Sequence, residues 1–107
     1  MREITTEKEY INAVLQEGIT FVDFYATWCG PCKVYEPILK QVSQLDICED
    51  VDFIKVNIED LEDLANREEI VSVPTTMIYK NGELVFRSAG VQQPQQLVEQ
   101  IMKLKSE

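Results

Sequence analysis

The spacing of apolar residues changes several times along this chain, and each change marks an element. "ITFVDFYA" (19–26) is β-branched or aromatic on both alternating faces. That is the pattern of a strand covered on both sides in a parallel sheet. "VDFIKVNI" (51–58) is the next strand. Between them Val34, Tyr35, Ile38, Leu39, Val42 and Leu45 fall on one side of a helix. Upstream, "REIT" is a short strand, and Thr6 with Glu9 forms a capping box ahead of the helix "EKEYINAVLQEG". Tyr10, Ala13 and Val14 make one helical set there, Ile11, Val14 and Leu15 another, and Gly18 is the stop. Downstream, "DLEDLANREE" is a short acidic helix. "TTMIYK" and "ELVFRSA" flank Asn81-Gly82, a strong hairpin signal. Pro94 opens "PQQLVEQIMKLK", with Leu97, Val98, Ile101, Met102 and Leu104 inward. The order β-α-β-α-β-α-β-β-α predicts an α/β fold, with helices on both faces of one mixed sheet and the hairpin as its antiparallel edge.

At 107 residues, without repeat, linker or low-complexity segment, the chain is expected to be one domain spanning 1–107. Nineteen acidic against ten basic residues give a net charge of −9. That balance opposes binding to nucleic acid or an anionic membrane, and no basic cluster offsets it. No apolar run approaches membrane-spanning length. "MREITTEKEY" is charged and lacks the apolar region of a secretory signal, so a cytoplasmic location is expected. An odd number of cysteines fits a reducing compartment better than a disulfide-built fold.

The chain has no histidine, which removes Ser-His and Cys-His hydrolysis and the commonest zinc ligand. What remains is "WCGPCK" (28–33), which brings together two of the three cysteines at the end of a buried strand. Open α/β sheets place their sites at such strand ends. Cys29 and Cys32 admit three readings: a redox pair, part of a metal site, or two buried thiols. Only Cys48 is left as a further thiolate, too few for structural zinc. Inert core thiols leave the intervening Gly30-Pro31 unexplained.

The redox reading explains the spacing. Cysteines three apart on a helix have Cβ atoms about 5–6 Å apart, and a disulfide needs about 3.5–4.5 Å. The pair can therefore open and close with a small adjustment. Gly30 relaxes the turn and Pro31 presets a helical φ. Cys29 faces the helix's unsatisfied N–H groups, which favour thiolate, and Lys33 adds a cation. Cys32, further in, is expected to be more buried and less acidic. Cys29 is thus the attacking nucleophile and Cys32 the resolving thiol.

"VDFYATWCGPCK", Pro37 in "YEPIL", "IKVNIED", "VPTTMIYKNGE" and Gly90 in "SAGV" resemble the thioredoxin family, in its order and spacing over essentially the whole chain. The resemblance implies a three-layer α/β/α fold with a mixed five-stranded sheet and four helices. It implies protein-disulfide reduction by thiol–disulfide exchange, with no bound cofactor. Electrons would come from NADPH through a thioredoxin reductase and pass to disulfide-containing clients, and a monomer is the family default. Val73-Pro74-Thr75 resembles the family's cis-proline loop. Trp28, Gly30, Pro31, Val73, Pro74, Gly90 and Val91 would then form a substrate-docking patch; for Trp28 the alternative is core filler.

Asp23 matches a family aspartate that takes the proton of the resolving cysteine, and Lys55 matches the lysine that modulates it. The alternative for Asp23 is a charge on a water-facing strand edge. Pro37 is expected to kink its helix. Two positions depart from the family: Glu59 stands where aspartate is common, and Tyr25 where many bacterial members carry tryptophan. Cys48 reads as a structural thiol, with a regulatory thiol as its alternative. The competing function is an interaction subunit in which the redox pair is incidental, since fold does not fix function.

Overall fold

The run that is apolar on both faces becomes the centre of the sheet. In the computed structural model, which describes residues 1–107, it forms strand β2 (Ile19–Tyr25). One neighbour is β3 (Asp52–Asn57), parallel to it; the other is β4 (Thr75–Lys80), antiparallel. Strand β1 (Arg2–Ile4) extends the sheet beyond β3, and β5 (Glu83–Ala89) beyond β4, giving the order β1-β3-β2-β4-β5. Four helices complete the three layers: α1 (Glu7–Leu15), α2 (Gly30–Ser43), α3 (Glu62–Arg67) and α4 (Pro94–Lys105). A 3₁₀ turn at Asp46–Cys48 was not legible in the pattern.

The pleat sorts the core into two halves, because successive side chains point to opposite faces. Ile19, Phe21, Phe53 and Ile78 pack with Tyr35, Leu39 and Val42 of α2 and with Leu97, Ile101 and Leu104 of α4. Val22, Phe24, Ile54, Val56 and Met77 pack with Tyr10, Ala13 and Val14 of α1 and Leu64 of α3. Asp23 therefore shares its face with Phe21, beneath the helix that begins at the cysteines.

Helices α1, α2 and α4 each bury a narrower stripe than their sequences offer. On α1 the set Tyr10, Ala13 and Val14 is buried, while Ile11 and Leu15 are exposed. On α2 the stripe is Cys32, Tyr35, Leu39 and Val42; Val34 faces water, and Leu45 lies beyond the helix end and is exposed. Met102 of α4 is also exposed. A helix lying on a sheet covers only one sector of its circumference, so apolar residues at the margin of that sector meet solvent. Helix α2 continues through Pro37, which has no N–H to give the Lys33 carbonyl.

Local chemistry fixes the ends. Thr6 Oγ1 accepts the Glu9 N–H at 3.1 Å, but the Glu9 carboxylate reaches back to Thr5, accepting its N–H and hydroxyl. The capping box therefore closes one residue earlier than its sequence form suggests. Asn81 and Gly82 have φ of 53° and 84°, as a type I′ hairpin turn requires. The Asn81 side chain accepts the Gly18 N–H at 2.8 Å and its own N–H donates to the Gly18 carbonyl, locking the hairpin to the entry of β2.

Candidate active site at the start of α2

The carboxyl end of β2 turns directly into α2, and Cys29 is the N-cap of that helix. Its Sγ accepts the Cys32 N–H at 3.1 Å, so the sulfur occupies the place where a capping oxygen would sit. Gly30 and Pro31 fill the first two helical positions, where a missing N–H is harmless. Cys29 and Cys32 are joined as a disulfide, with Cα atoms 5.3 Å apart. The two cysteines are 4% and 5% exposed, so burial does not separate them as expected. Their asymmetry lies in the helix: the Cys29 sulfur faces the N-terminal N–H groups, whereas Cys32 sits in the first turn.

The Val73–Pro74 peptide is cis, and the Val73 carbonyl oxygen lies 3.6 Å from Cys29 Sγ. Gly90, at φ +89°, donates its N–H to the Pro74 carbonyl at 2.8 Å, tying the end of β5 to this loop. Trp28 is 67% exposed, which removes the core-filler alternative. Gly30 and Pro31 are exposed beside it, and Val73 is half-buried against Ala26, Cys29 and Cys32. Pro74 is buried. Val91 is half-buried and packs against the larger core half. Glu59 accepts hydrogen bonds from Thr27 N–H and Oγ1, at 3.2 and 2.9 Å, and so braces the residue before Trp28.

Sheet register places a row of polar residues across all five strands: Glu3, Lys55, Asp23, Thr76 and Ser88. Asp23 is its centre. It is 4% exposed, and its Oδ1 has no hydrogen-bond partner, which removes the water-facing-edge alternative. Burial pushes its carboxyl up to about 7; Lys55 opposes that rise, and Glu36 and Glu3 add to it. Lys55 stands in register with Asp23 but forms no ion pair with it. Its ammonium lies 3.3 Å from Glu36 and 3.8 Å from Glu3, and 5.3 Å from the Tyr25 ring centroid. Tyr25 donates its hydroxyl hydrogen bond to Glu3 at 2.8 Å.

Sequence reasoning missed Glu36 and Glu3. Glu36 follows Cys32 by four residues, a spacing that puts both on one helix face and was available as a signal. Glu3 reaches the site only through the β1–β3 register, which no local pattern carries. A cleft of about 180 Å³ opens beside the cysteines, lined by Tyr25, Ala26, Thr27, Cys32, Lys33 and Glu36. Cys48 stays outside the site. It is a buried free thiol in the larger core half, where burial pushes its pKa up.

The thioredoxin family model matches residues 2–103. Thioredoxin-1 of Saccharomyces cerevisiae is 36% identical over 88 residues, covering 82% of this chain and 84% of the relative. The thioredoxin of Staphylococcus haemolyticus is 36% identical over 89 residues, covering 83% and 85%. Among solved structures, Malassezia sympodialis thioredoxin superposes with a TM-score of 0.87 at 27% identity, over 96% of this chain and 89% of that one. No helix is long and apolar enough to cross a membrane. Sequence match, fold and a disulfide-bonded pair at a helix start converge, and the chain belongs to the thioredoxin family of thiol–disulfide oxidoreductases.

Proposed function

We propose that this chain is a general protein-disulfide reductase, acting as a single-domain cytoplasmic monomer. It is recharged from NADPH through a thioredoxin reductase and binds no cofactor of its own. The observation that carries the reading is the Cys29 sulfur: it caps a helix, accepts the Cys32 N–H, and faces the carbonyl before a cis-proline. The Gly30-Pro31 dipeptide, which resembles that of reducing family members, supports reduction over oxidation.

In the reduced protein the Cys29 thiolate attacks a client disulfide. That bond breaks, one client sulfur leaves as thiolate, and the other is held in a mixed disulfide with Cys29. The Asp23 carboxylate then takes the proton of the Cys32 thiol, with Lys55 modulating its charge. The Cys32 thiolate attacks Cys29 Sγ, the Cys29–Cys32 disulfide forms, and the second client thiolate leaves. Two electrons pass to the client, whose thiolates draw protons from Asp23 and solvent.

Trp28, Gly30, Pro31, Val73, Pro74, Gly90 and Val91 form the docking patch, and an extended client segment runs along the backbone of Val73. The test is insulin reduction coupled to NADPH consumption through a thioredoxin reductase, which should proceed catalytically. Trp28→Ala removes an exposed contact, so the fold should be unchanged while KM for the client rises about tenfold, equivalent to about 1.4 kcal/mol. An unchanged KM would remove Trp28 from the patch.

A further inference from the structure

We propose that Glu36 is a positioning residue for the resolving step: it holds the Lys55 ammonium away from Asp23, so the buried carboxylate that serves Cys32 works without a paired counter-ion. The inference rests on the proton-acceptor reading of Asp23 and deepens it.

The geometry offers Lys55 two choices. Asp23 and Lys55 are register partners on adjacent parallel strands, so their side chains leave the same face of the sheet. The ammonium nevertheless lies 3.3 Å from Glu36 Oε1 and 3.8 Å from Glu3 Oε1, and makes no ion pair with Asp23. An Asp23 carboxylate oxygen is left buried with no partner at all. Glu36 and Glu3 are 46% and 37% exposed, so pairing with the one cation costs them little desolvation.

Glu36 also lies on the helix of the reactive pair, four residues after Cys32, and both line the same cleft. Its position therefore couples the charge at the cleft to the environment of the carboxyl beneath. The charged groups acting on Asp23 are Lys55 from β3, Glu3 from β1 and Glu36 from α2. Tyr25 from β2 holds Glu3 in place through its hydroxyl. Of these, Glu36 makes the shortest contact to the lysine.

Glu36→Gln keeps the side chain's size and removes its charge. Lys55 then keeps only the longer Glu3 contact and can turn toward Asp23, and the carboxyl loses one negative neighbour; both effects favour its ionised form. Carbon-13 NMR titration of Asp23 in the oxidised protein should move down by about one pH unit. In single-turnover client reduction, the pH profile of the resolving step should shift the same way and its plateau should fall, because Asp23 becomes a weaker base. Lys55→Met should move the Asp23 titration up. In the Lys55→Met background, Glu36→Gln should produce a much smaller downward shift, since no ammonium remains to be released.

An Asp23 titration unmoved by Glu36→Gln would overturn the inference. So would an equal shift with and without Lys55, which would make Glu36 a direct neighbour rather than a positioning residue. Glu36 and Lys55 are both partly exposed, and circular dichroism checks that the variants fold. The underlying reading fails separately: it is lost if Asp23→Ala resolves mixed disulfides at the wild-type rate, whatever the titrations show.

Discussion

Cys29→Ser should reduce insulin no faster than a protein-free control while keeping its fold. Serine is a strong N-cap, so the first turn of α2 retains an acceptor for the Cys32 N–H that the Cys29 sulfur now engages. What is lost is the nucleophile, because a serine hydroxyl does not exchange with disulfides. Cys32→Ser should behave differently. Attack by Cys29 still occurs, and the reaction stalls after one turnover with client bound covalently, visible as a mass adduct released by dithiothreitol. The contrast assigns the two roles. Exchanged phenotypes, with Cys32→Ser inert and Cys29→Ser forming the adduct, would reverse the assignment. Biological function retained by Cys29→Ser would favour an interaction subunit with incidental redox chemistry.

Asp23→Ala should stabilise the protein at pH 8 by about 2–4 kcal/mol while slowing client reduction. The native carboxyl keeps its proton until about pH 7, whereas its ordinary value is 3.8. Between those values the native state binds more protons than the unfolded chain, so stability falls as pH rises. The penalty is absent below about pH 4 and fully developed above pH 7. At about 1.36 kcal/mol per unit, the interval corresponds to about 4 kcal/mol, from which a small cavity term is subtracted. Urea unfolding at pH 4 and pH 8 checks this: the variant's advantage should appear only at the higher pH. A variant that is destabilised at pH 8 and fully active would contradict both halves.

These two effects oppose one another in a way that explains the residue. A buried carboxylate without a hydrogen-bond partner weakens the fold, and in the proposed mechanism it serves as a base close to neutrality. The rest of the polar row from Glu3 to Ser88 has partners, so Asp23 is the exception within it. Thr76 bonds the Tyr35 hydroxyl at 2.7 Å, Ser88 accepts from Gln92, and Lys55 holds its two glutamates.

The elements and the cysteine turn were legible in the sequence because their signals are local. Strand β2 announced itself by apolar residues on both faces, and Asn81-Gly82 by a turn type few other dipeptides adopt. The place of Cys29 at the start of a helix likewise needs only neighbouring residues to recognise. What could not be read locally was set by register and packing. The choice between Tyr10 and Ile11 as the inner face of α1 depends on how the helix rotates on the sheet. That the Lys55 ammonium sits with Glu36 and Glu3 was not legible for a related reason. Pairing across β2 and β3 was foreseeable, but the competing Glu3 arrives from another strand and Glu36 from a helix. Equal burial of the two cysteines likewise reflects the cover supplied by Ala26 and Val73, which lie on separate segments.

Whether electrons leave this protein toward client disulfides is decided by one equilibrium. The reduction potential of the Cys29–Cys32 couple, measured against defined glutathione buffers, tests it most directly. Thioredoxins lie at about −270 mV. The Cys29–Cys32 couple is expected in that range, more reducing than the glutaredoxins and disulfide isomerases at about −230 to −180 mV. A value near −120 mV, where strongly oxidising dithiol proteins lie, would contradict it and reverse the direction of electron flow.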